Sequence, residues 1–210
     1  MEKKKKIEIM APVGSFESLG AAIRAGADSI YFGIGDLNMR ARSSINFSLS
    51  DLKKITSEAR KNNVLTYLVV NTLLYDNDIR VAKKIVDAAK KRGVDAIIAF
   101  DFAVINYCNE INIPVQISVQ FSVSNYESLK FFSQFTNRVV LARELTLEQI
   151  KTIHNKIKKE ELIGSENRLM EIEIFGHGAL CIAQSGRCWM SLYQHNASAN
   201  RGLCLQDCRR

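Results

Sequence analysis

The chain alternates short apolar runs with longer stretches in which apolar and polar residues follow a helical period. The apolar runs are rich in valine, isoleucine and leucine and are nearly continuous. Such runs are typical of strands that are buried on both faces. The pattern predicts seven strands, at 7–11, 29–33, 64–70, 96–100, 115–119, 138–142 and 172–175.

The stretches between these runs carry the signals of helix ends. Ser15 precedes a periodic stretch that stops before Gly26, which is a natural helix terminator. Thr146 and Gln149 have the spacing of a capping box, and Ser48 begins a similar pattern. The sequence therefore predicts six helices, at 15–25, 48–61, 76–92, 102–112, 126–135 and 146–159.

Strict alternation of strand and helix favours a parallel sheet. Strands at this spacing fit a TIM barrel better than a doubly wound sheet, although a typical barrel has about 250 residues and an eighth strand. We therefore expect an α/β, TIM-barrel-like (β/α) repeat that is incomplete, with seven strands and the eighth missing. Residues 1–210 would form one barrel-like domain that is cut short at its C-terminus.

Composition restricts the class of protein. Hydrophobic residues make up 47% and charged residues 24%, as in soluble globular proteins. No apolar run approaches about 20 residues, the length that crosses a bilayer, and the basic start lacks the features of a signal peptide. We therefore expect a cytoplasmic protein without a membrane partner. The net charge of +7 indicates either a solvated basic surface or a polyanionic partner such as RNA.

The five cysteines divide into one and four. Cys108 lies on the apolar face of a predicted helix, where a buried structural thiol is the better interpretation. The others follow the pattern Cys181-x6-Cys188-x15-Cys204-x3-Cys208, directly after the seventh predicted strand. Soft thiolate ligands select an iron–sulfur cluster or zinc, and free or redox-active thiols are the third interpretation. Residues 175–210 would then form cysteine-rich, cluster-binding loops.

The sequence around these cysteines resembles the signature of the U32 peptidase family, also called collagenase-like proteases. Residues 173–191 carry the signature, and shorter matches follow the family's order at 11–17, 38–48, 70–72, 120–125 and 142–145. The resemblance implies a TIM-barrel-like fold and a [4Fe–4S] cluster on Cys181, Cys188, Cys204 and Cys208. Two features depart from the family. Its usual Gln-Pro-Cys is Gln206-Asp207-Cys208 here, and its members continue well beyond this point.

The resemblance also implies a function. Several U32 proteins are implicated in oxygen-independent hydroxylation of RNA bases or of ubiquinone precursors, and the transfer RNA and ribosomal RNA hydroxylases use prephenate metabolism. We therefore expect an iron–sulfur protein that supports hydroxylation of a nucleobase in tRNA or rRNA, with prephenate as a possible co-substrate. RNA is the expected partner and DNA is not. A second protein or a dimer would cover the open edge of the barrel.

Polar residues at the ends of predicted strands are candidates for the substrate pocket, because these ends meet at one mouth of a barrel. Asn71, Gln120, Arg143, Glu144 and Glu173 occupy such positions. On the loop after the second strand, Arg40 and Arg42 are suited to binding a carboxylate or phosphate. His177 precedes Cys181 by four positions and is a candidate hydrogen-bond donor to the cluster. Tyr31, Tyr67, Trp189 and Tyr193 are candidates for stacking against an unpaired base.

Two other functions stay open. A U32 peptidase is the first, but the chain has neither a Gly-x-Ser-x-Gly elbow nor a His-Glu-x-x-His zinc helix. Its histidines are His154, His177 and His195, and a Cys–His dyad of His177 with Cys181 is a less favoured interpretation than a role beside the cluster. The second is a non-catalytic partner subunit whose cluster is structural or transfers electrons.

Overall fold

A computed structural model describes residues 7–39, 41 and 46–209. These residues contain one sheet of seven parallel strands, paired in sequence order, which confirms the predicted TIM-barrel-like architecture. The strands are β1 (Met10–Pro12), β2 (Ser29–Gly33), β3 (Leu65–Val70), β4 (Ala96–Ala99), β5 (Val115–Ile117), β6 (Arg138–Val140) and β7 (Glu171–Glu173).

Helices connect the strands and cover one face of the sheet. They are α1 (Phe16–Arg24), α2 (Leu52–Lys61), α3 (Asp76–Lys91), α4 (Phe102–Glu110), α5 (Tyr126–Phe132), α6 (Leu147–Lys159) and α7 (Met190–His195). Short 3-10 turns lie at Leu49–Asp51, Val119–Phe121, Ala199–Arg201 and Asp207–Arg209. The predicted capping box is present, since Thr146 N donates to Gln149 Oε1 over 2.8 Å and Gln149 N donates to Thr146 Oγ1 over 3.3 Å.

The two faces of the sheet have different chemistry. The face toward the helices is apolar, and Ile30, Leu68, Ile97 and Ile117 on it are fully buried. The opposite, inner face has a small apolar cluster of Tyr67, Val69, Ala96 and Ile98, with polar side chains around it. Because side chains alternate along a strand, each strand contributes to both faces. The large core lies between sheet and helices, and polar groups gather inside the curve of the sheet.

A partly buried ion-pair network spans the inner face of the sheet. Arg138 begins β6, and its Nη2 donates to Glu8 Oε2 over 2.8 Å and to Glu171 Oε2 over 2.9 Å. Tyr67 donates from its hydroxyl to Glu8 Oε1 over 2.8 Å. Burial by itself raises the pKa of Glu8, but the hydrogen bonds from Arg138, Ser29 and Tyr67 and the positive charge of Arg138 together outweigh this effect, and the pKa lies below its usual value. Glu8 precedes β1, so the network ties the first strand to the sixth across the inner face.

The two edges of the sheet differ from its middle. β1 and β7 each pair with one neighbour among the described residues. Ile7, Ile9 and Ile174 flank these edge strands and are about half exposed or more, at 79%, 59% and 45%. The predicted seventh strand included residues 174 and 175, whereas β7 ends at Glu173, level with the last residue of β6. An edge strand extends only as far as its single partner.

Within the described ranges, no helix is both long enough and apolar enough to cross a bilayer.

Candidate functional site

After β7 the chain folds back over the carboxyl end of the sheet. We call residues 176–209 the cysteine arm. The arm contacts the loops that follow β3, β5 and β6, which all leave the sheet at that end. In parallel α/β folds these loops form the ligand-binding side. The arm therefore carries its four cysteines to the side of the fold where a site is expected.

One contact joins the arm to the loops after β5 and β6. Arg143 donates from Nε and Nη2 to Ser185 Oγ, over 3.2 and 2.7 Å, and its guanidinium lies 6.0 Å from the ring of Phe175. Gly186 has a φ of +72°, and a Cβ there would lie 2.1 Å from the backbone oxygen of Gln120. Only glycine permits this approach. The structure thus brings two predicted site residues, Gln120 and Arg143, against the arm.

A second contact joins the arm to the loop between β3 and α3. Arg201 Nη1 donates to Asp78 Oδ2 over 2.8 Å and to the backbone oxygen of Leu73 over 3.2 Å. Its guanidinium also lies 3.9 Å above the ring of Tyr75. The backbone nitrogen of Leu73 donates to the carbonyl of Asn200 over 3.0 Å. These contacts fix the middle of the arm to the loop after β3.

Asn71 lies behind this contact as a hydrogen-bonding bridge. Its Oδ1 accepts from Met39 N over 3.0 Å, and its Nδ2 donates to Ser118 Oγ over 3.2 Å. The side chain is buried and joins the loop after β2 to the end of β5. Asn71, predicted as a pocket residue, therefore positions the loops of the site through its amide.

The cysteines of the arm are free thiols. Cys188 and Cys204 are half-buried, whereas Cys181 and Cys208 are exposed. Among the described residues, which include all four, no group of three or more histidine, cysteine or acidic side chains converges at metal-binding distance. The donor set fits an iron–sulfur cluster by its chemistry, because four soft, unpaired thiols lie on one arm. Cys108 is fully buried in α4, and burial raises the pKa of its thiol to about 12.

A polar cluster fastens the end of the arm to α7. Asp207 accepts from Ser191 Oγ through Oδ2, over 2.9 Å, and its Oδ1 lies 2.8 Å from His195 Nε2. Ser191 Oγ in turn accepts from Leu205 N over 3.0 Å. Asp207 stands where the family motif has proline, and it holds the segment between Cys204 and Cys208 against the helix. Both Ser191 and His195 bind this carboxylate, so the imidazole is not placed to activate the serine.

Glu173 is an acidic residue with a buried carboxylate oxygen. It ends β7 and faces the inner side, two residues after Glu171. Its Oε2 is fully buried and has no hydrogen-bond partner there. Burial raises the pKa of Glu173 to about 7, although the positive charge of Arg138 opposes this shift. Gln116, on the same inner face, also has a buried amide oxygen without a partner. A carboxyl group with this pKa can hold or release a proton near neutral pH.

Two further predicted site residues lie on the surface. Glu144 and His177 are exposed on the loops after β6 and β7. Arg40 and Arg42 lie outside the described residues. The sequence did not identify the network of Arg138 or the cluster of Asp207. A signal for the first was present, since Arg138 is a charged residue at the start of an otherwise apolar run.

We expect Glu173 to make stability depend on pH. Its pKa of about 7 in the fold exceeds its usual value of 4.5, so the folded state binds this proton more tightly than the unfolded state. The resulting stabilisation is complete below pH 4.5 and is lost as the pH rises through 7. By linkage, the loss is at most about 3 kcal/mol. Urea unfolding from pH 4.5 to 8 should show this decline in wild type and a flatter profile in Glu173→Gln.

Glu144→Gln is the matched control for this experiment, because Glu144 is exposed. It should keep the wild-type pH profile. Arg138 and Glu8 are the charged neighbours that act on Glu173, and both stay in place in either variant. Identical pH slopes for Glu173→Gln and wild type would show that Glu173 is not the titrating group.

The chain is similar in sequence to several known proteins. The model of Peptidase family U32 matches residues 14–210. A protein named Collagenase from Porphyromonas gingivalis is 54% identical over 203 residues, which cover 97% of this chain and 49% of that protein. Two Escherichia coli proteins also match over 97% of the chain. The 23S rRNA 5-hydroxycytidine C2501 synthase is 34% identical with 29% of its length covered, and tRNA hydroxylation protein P is 33% identical with 43% covered.

A solved structure agrees with the fold. The U32 peptidase Mk0906 superimposes with a TM-score of 0.63 at 13% identity, over 83% of this chain and 70% of that one. This likeness supports the barrel-like architecture alone. The chain spans about half or less of the length of the three curated relatives, at 49%, 29% and 43%.

Proposed function

Because this chain belongs to peptidase family U32, we propose that it carries an iron–sulfur cluster and supports oxygen-independent hydroxylation of a nucleobase in tRNA or rRNA. The observation that carries the proposal is the cysteine arm, whose four free thiols are held at the carboxyl end of the sheet. The names of the two Escherichia coli relatives supply the reaction class. With an RNA target, the expected location of the protein is the cytoplasm.

Four cysteines would hold the cluster: Cys181, Cys188, Cys204 and Cys208. When bound, a [4Fe–4S] cluster supplies one-electron chemistry, and its potential depends on hydrogen bonds and solvent exposure. Other residues of the arm would position the four cysteines. Asp207 holds Cys204 and Cys208 against α7, and Arg201 and Gly186 dock the arm on the loops after β3 and β5.

Other residues of the site would act on substrate. Glu173 lies inside the curve of the sheet with a buried, unpaired carboxylate oxygen, and its pKa of about 7 suits proton transfer at neutral pH. Arg143 is half-buried beside the arm and has further donor positions on its guanidinium. It is suited to orienting an anionic group, such as the carboxylate of a prephenate-like co-substrate or an RNA phosphate.

Mass spectrometry of RNA nucleosides tests the proposal. Cells that lack the gene should lose one hydroxylated nucleoside from tRNA or 23S rRNA. The wild-type gene should restore it, and a gene with Cys188→Ser should not. An unchanged nucleoside profile in the deletion strain would contradict the proposed reaction.

A peptidase is the second candidate, because the relative with 54% identity is named Collagenase. The structure offers a check on this alternative. His195 is bound to Asp207 rather than to a nucleophile, so a serine mechanism on Ser191 would need a rearranged site. Hydrolysis of gelatin by the purified protein, abolished by Ser191→Ala, together with an unchanged RNA profile, would favour the peptidase.

A further inference from the structure

α7 and the residue directly before it expose two large aromatic side chains. Trp189 is 60% exposed and Tyr193 is 91% exposed. Tyr193 N donates to the carbonyl of Trp189 over 2.9 Å, which is a helical hydrogen bond between residues four positions apart. Residues at this spacing lie on the same side of a helix. The two rings therefore share one exposed face, and Trp189 directly follows Cys188.

The opposite side of α7 is fixed to the arm. Ser191 is 2% exposed and donates to Asp207, and His195 binds the same carboxylate. Ser191 also accepts from Leu205 N over 3.0 Å. These contacts orient the helix so that its polar side is satisfied and its aromatic side faces solvent. The aromatic pair is thus held in place before any ligand arrives.

The arm that carries this pair also carries two exposed arginines. Arg187 precedes Trp189 by two positions and is exposed. Arg209 is also exposed, in the turn Asp207–Arg209 that Asp207 holds against α7. The whole chain carries a net charge of +7. An arm with exposed aromatic rings and exposed arginines matches single-stranded nucleic acid, whose bases stack on aromatic rings and whose phosphates attract cations. A neutral partner surface would not use the arginines, and an acidic protein surface would pair with them but has no bases to stack on the rings.

The other aromatic candidates do not offer such a surface. Tyr67 is 3% exposed, and its hydroxyl donates to Glu8 within the inner face. Tyr31 lies half-buried on β2. Of the four tyrosine and tryptophan residues that the sequence singled out, only Trp189 and Tyr193 present most of their rings to solvent.

We propose that Trp189 and Tyr193 form a stacking platform for an unpaired base of RNA, next to the thiol of Cys188. This inference rests on the proposed function and deepens it by assigning the residues that select a single-stranded target. A paired base cannot offer its faces to the platform. Stacking on an aromatic side chain contributes about 1–3 kcal/mol per base, which corresponds to a change in affinity of about 5- to 150-fold.

Trp189 is the only tryptophan in the chain, so its fluorescence reports on the platform directly. A single-stranded RNA oligonucleotide should quench this fluorescence on titration at low salt, and a duplex of the same length should quench it far less. Polarisation of labelled RNA should show weaker binding by about 5-fold or more for Trp189→Ala and for Tyr193→Ala. Tyr193→Phe keeps the ring and should bind within about threefold of wild type.

Phe131→Ala is the matched control, because Phe131 is a 52% exposed aromatic residue on α5. It should leave RNA affinity unchanged. Circular dichroism of each variant separates loss of binding from loss of fold, and Tyr193→Phe carries the comparison if an alanine variant unfolds.

The outcomes separate this inference from the proposed function. If wild type binds RNA without quenching and both alanine variants bind equally well, the platform is wrong and the proposed function stands. If wild type binds no RNA even at low salt, both fail. Quenching by gelatin peptides but not by RNA would overturn the platform in favour of a peptide-binding surface.

Discussion

Arg138→Met is expected to destabilise the chain by about 3–5 kcal/mol, which is a large part of the stability of an ordinary domain. Arg138 is the cation between Glu8 and Glu171, and the three side chains are only 18%, 26% and 19% exposed. Removing the guanidinium leaves Glu8 without its counter-ion and leaves Glu171 with only the exposed Arg168, at 3.6 Å. It also breaks the contact that joins β6 to the start of the chain. Urea unfolding at neutral pH measures the loss.

Two comparisons make this prediction specific. Arg168→Met removes an arginine that is 54% exposed and pairs with Glu166 over 2.7 Å and more loosely with Glu171 over 3.6 Å, so it should cost less than about 1 kcal/mol. Adding Glu8→Gln and Glu171→Gln to Arg138→Met removes the unpaired charges and should recover part of the loss. Equal destabilisation by Arg138→Met and Arg168→Met would show that the inner network does not hold the sheet together.

The second large effect concerns iron. Protein purified without oxygen should be brown and contain about four irons per chain, as expected for one [4Fe–4S] cluster. Cys188→Ser and Cys204→Ser should each lose most of this iron, because each removes one of four thiolate ligands from the arm. Iron analysis and the visible absorption spectrum are the measurements.

Cys108→Ala is the control for cysteine loss in general. Its thiol is fully buried in α4, away from the arm, so this variant should keep the wild-type iron content. A single tightly bound zinc in colourless wild-type protein would contradict the cluster. Equal iron loss in all three variants would contradict the assignment of the ligands.

The order and type of the elements followed from the sequence. All seven strands were predicted, because a strand buried on both faces must be almost continuously apolar and so differs locally from an amphipathic helix. The helix starts at Ser15 and Thr146 could also be predicted, because a capping side chain lies within a few residues of the backbone N–H group that it binds. The ends of β1, β5, β6 and β7 differed from the prediction, because the end of a strand depends on its pairing partners, and α7 was not predicted.

Part of the candidate site could be predicted in the same way. Gln120 and Arg143 follow strands, and parallel topology alone places such residues at one end of the sheet. The sequence also placed four cysteines on one segment after the last strand. What those residues contact was not predictable, since the contact of Arg143 with Ser185 joins residues 42 positions apart.

Only the tertiary structure decided which polar groups meet and which stay unpaired. Arg138 and Glu8 are 130 positions apart, and their pairing exists because the sheet curls until its first and sixth strands face each other. The same curl buries Oε2 of Glu173 without a partner and raises its pKa. Periodicity and capping report on neighbours in the chain, so they determined the elements of this protein. Burial and charge pairing depend on neighbours in space, and only the fold determined those.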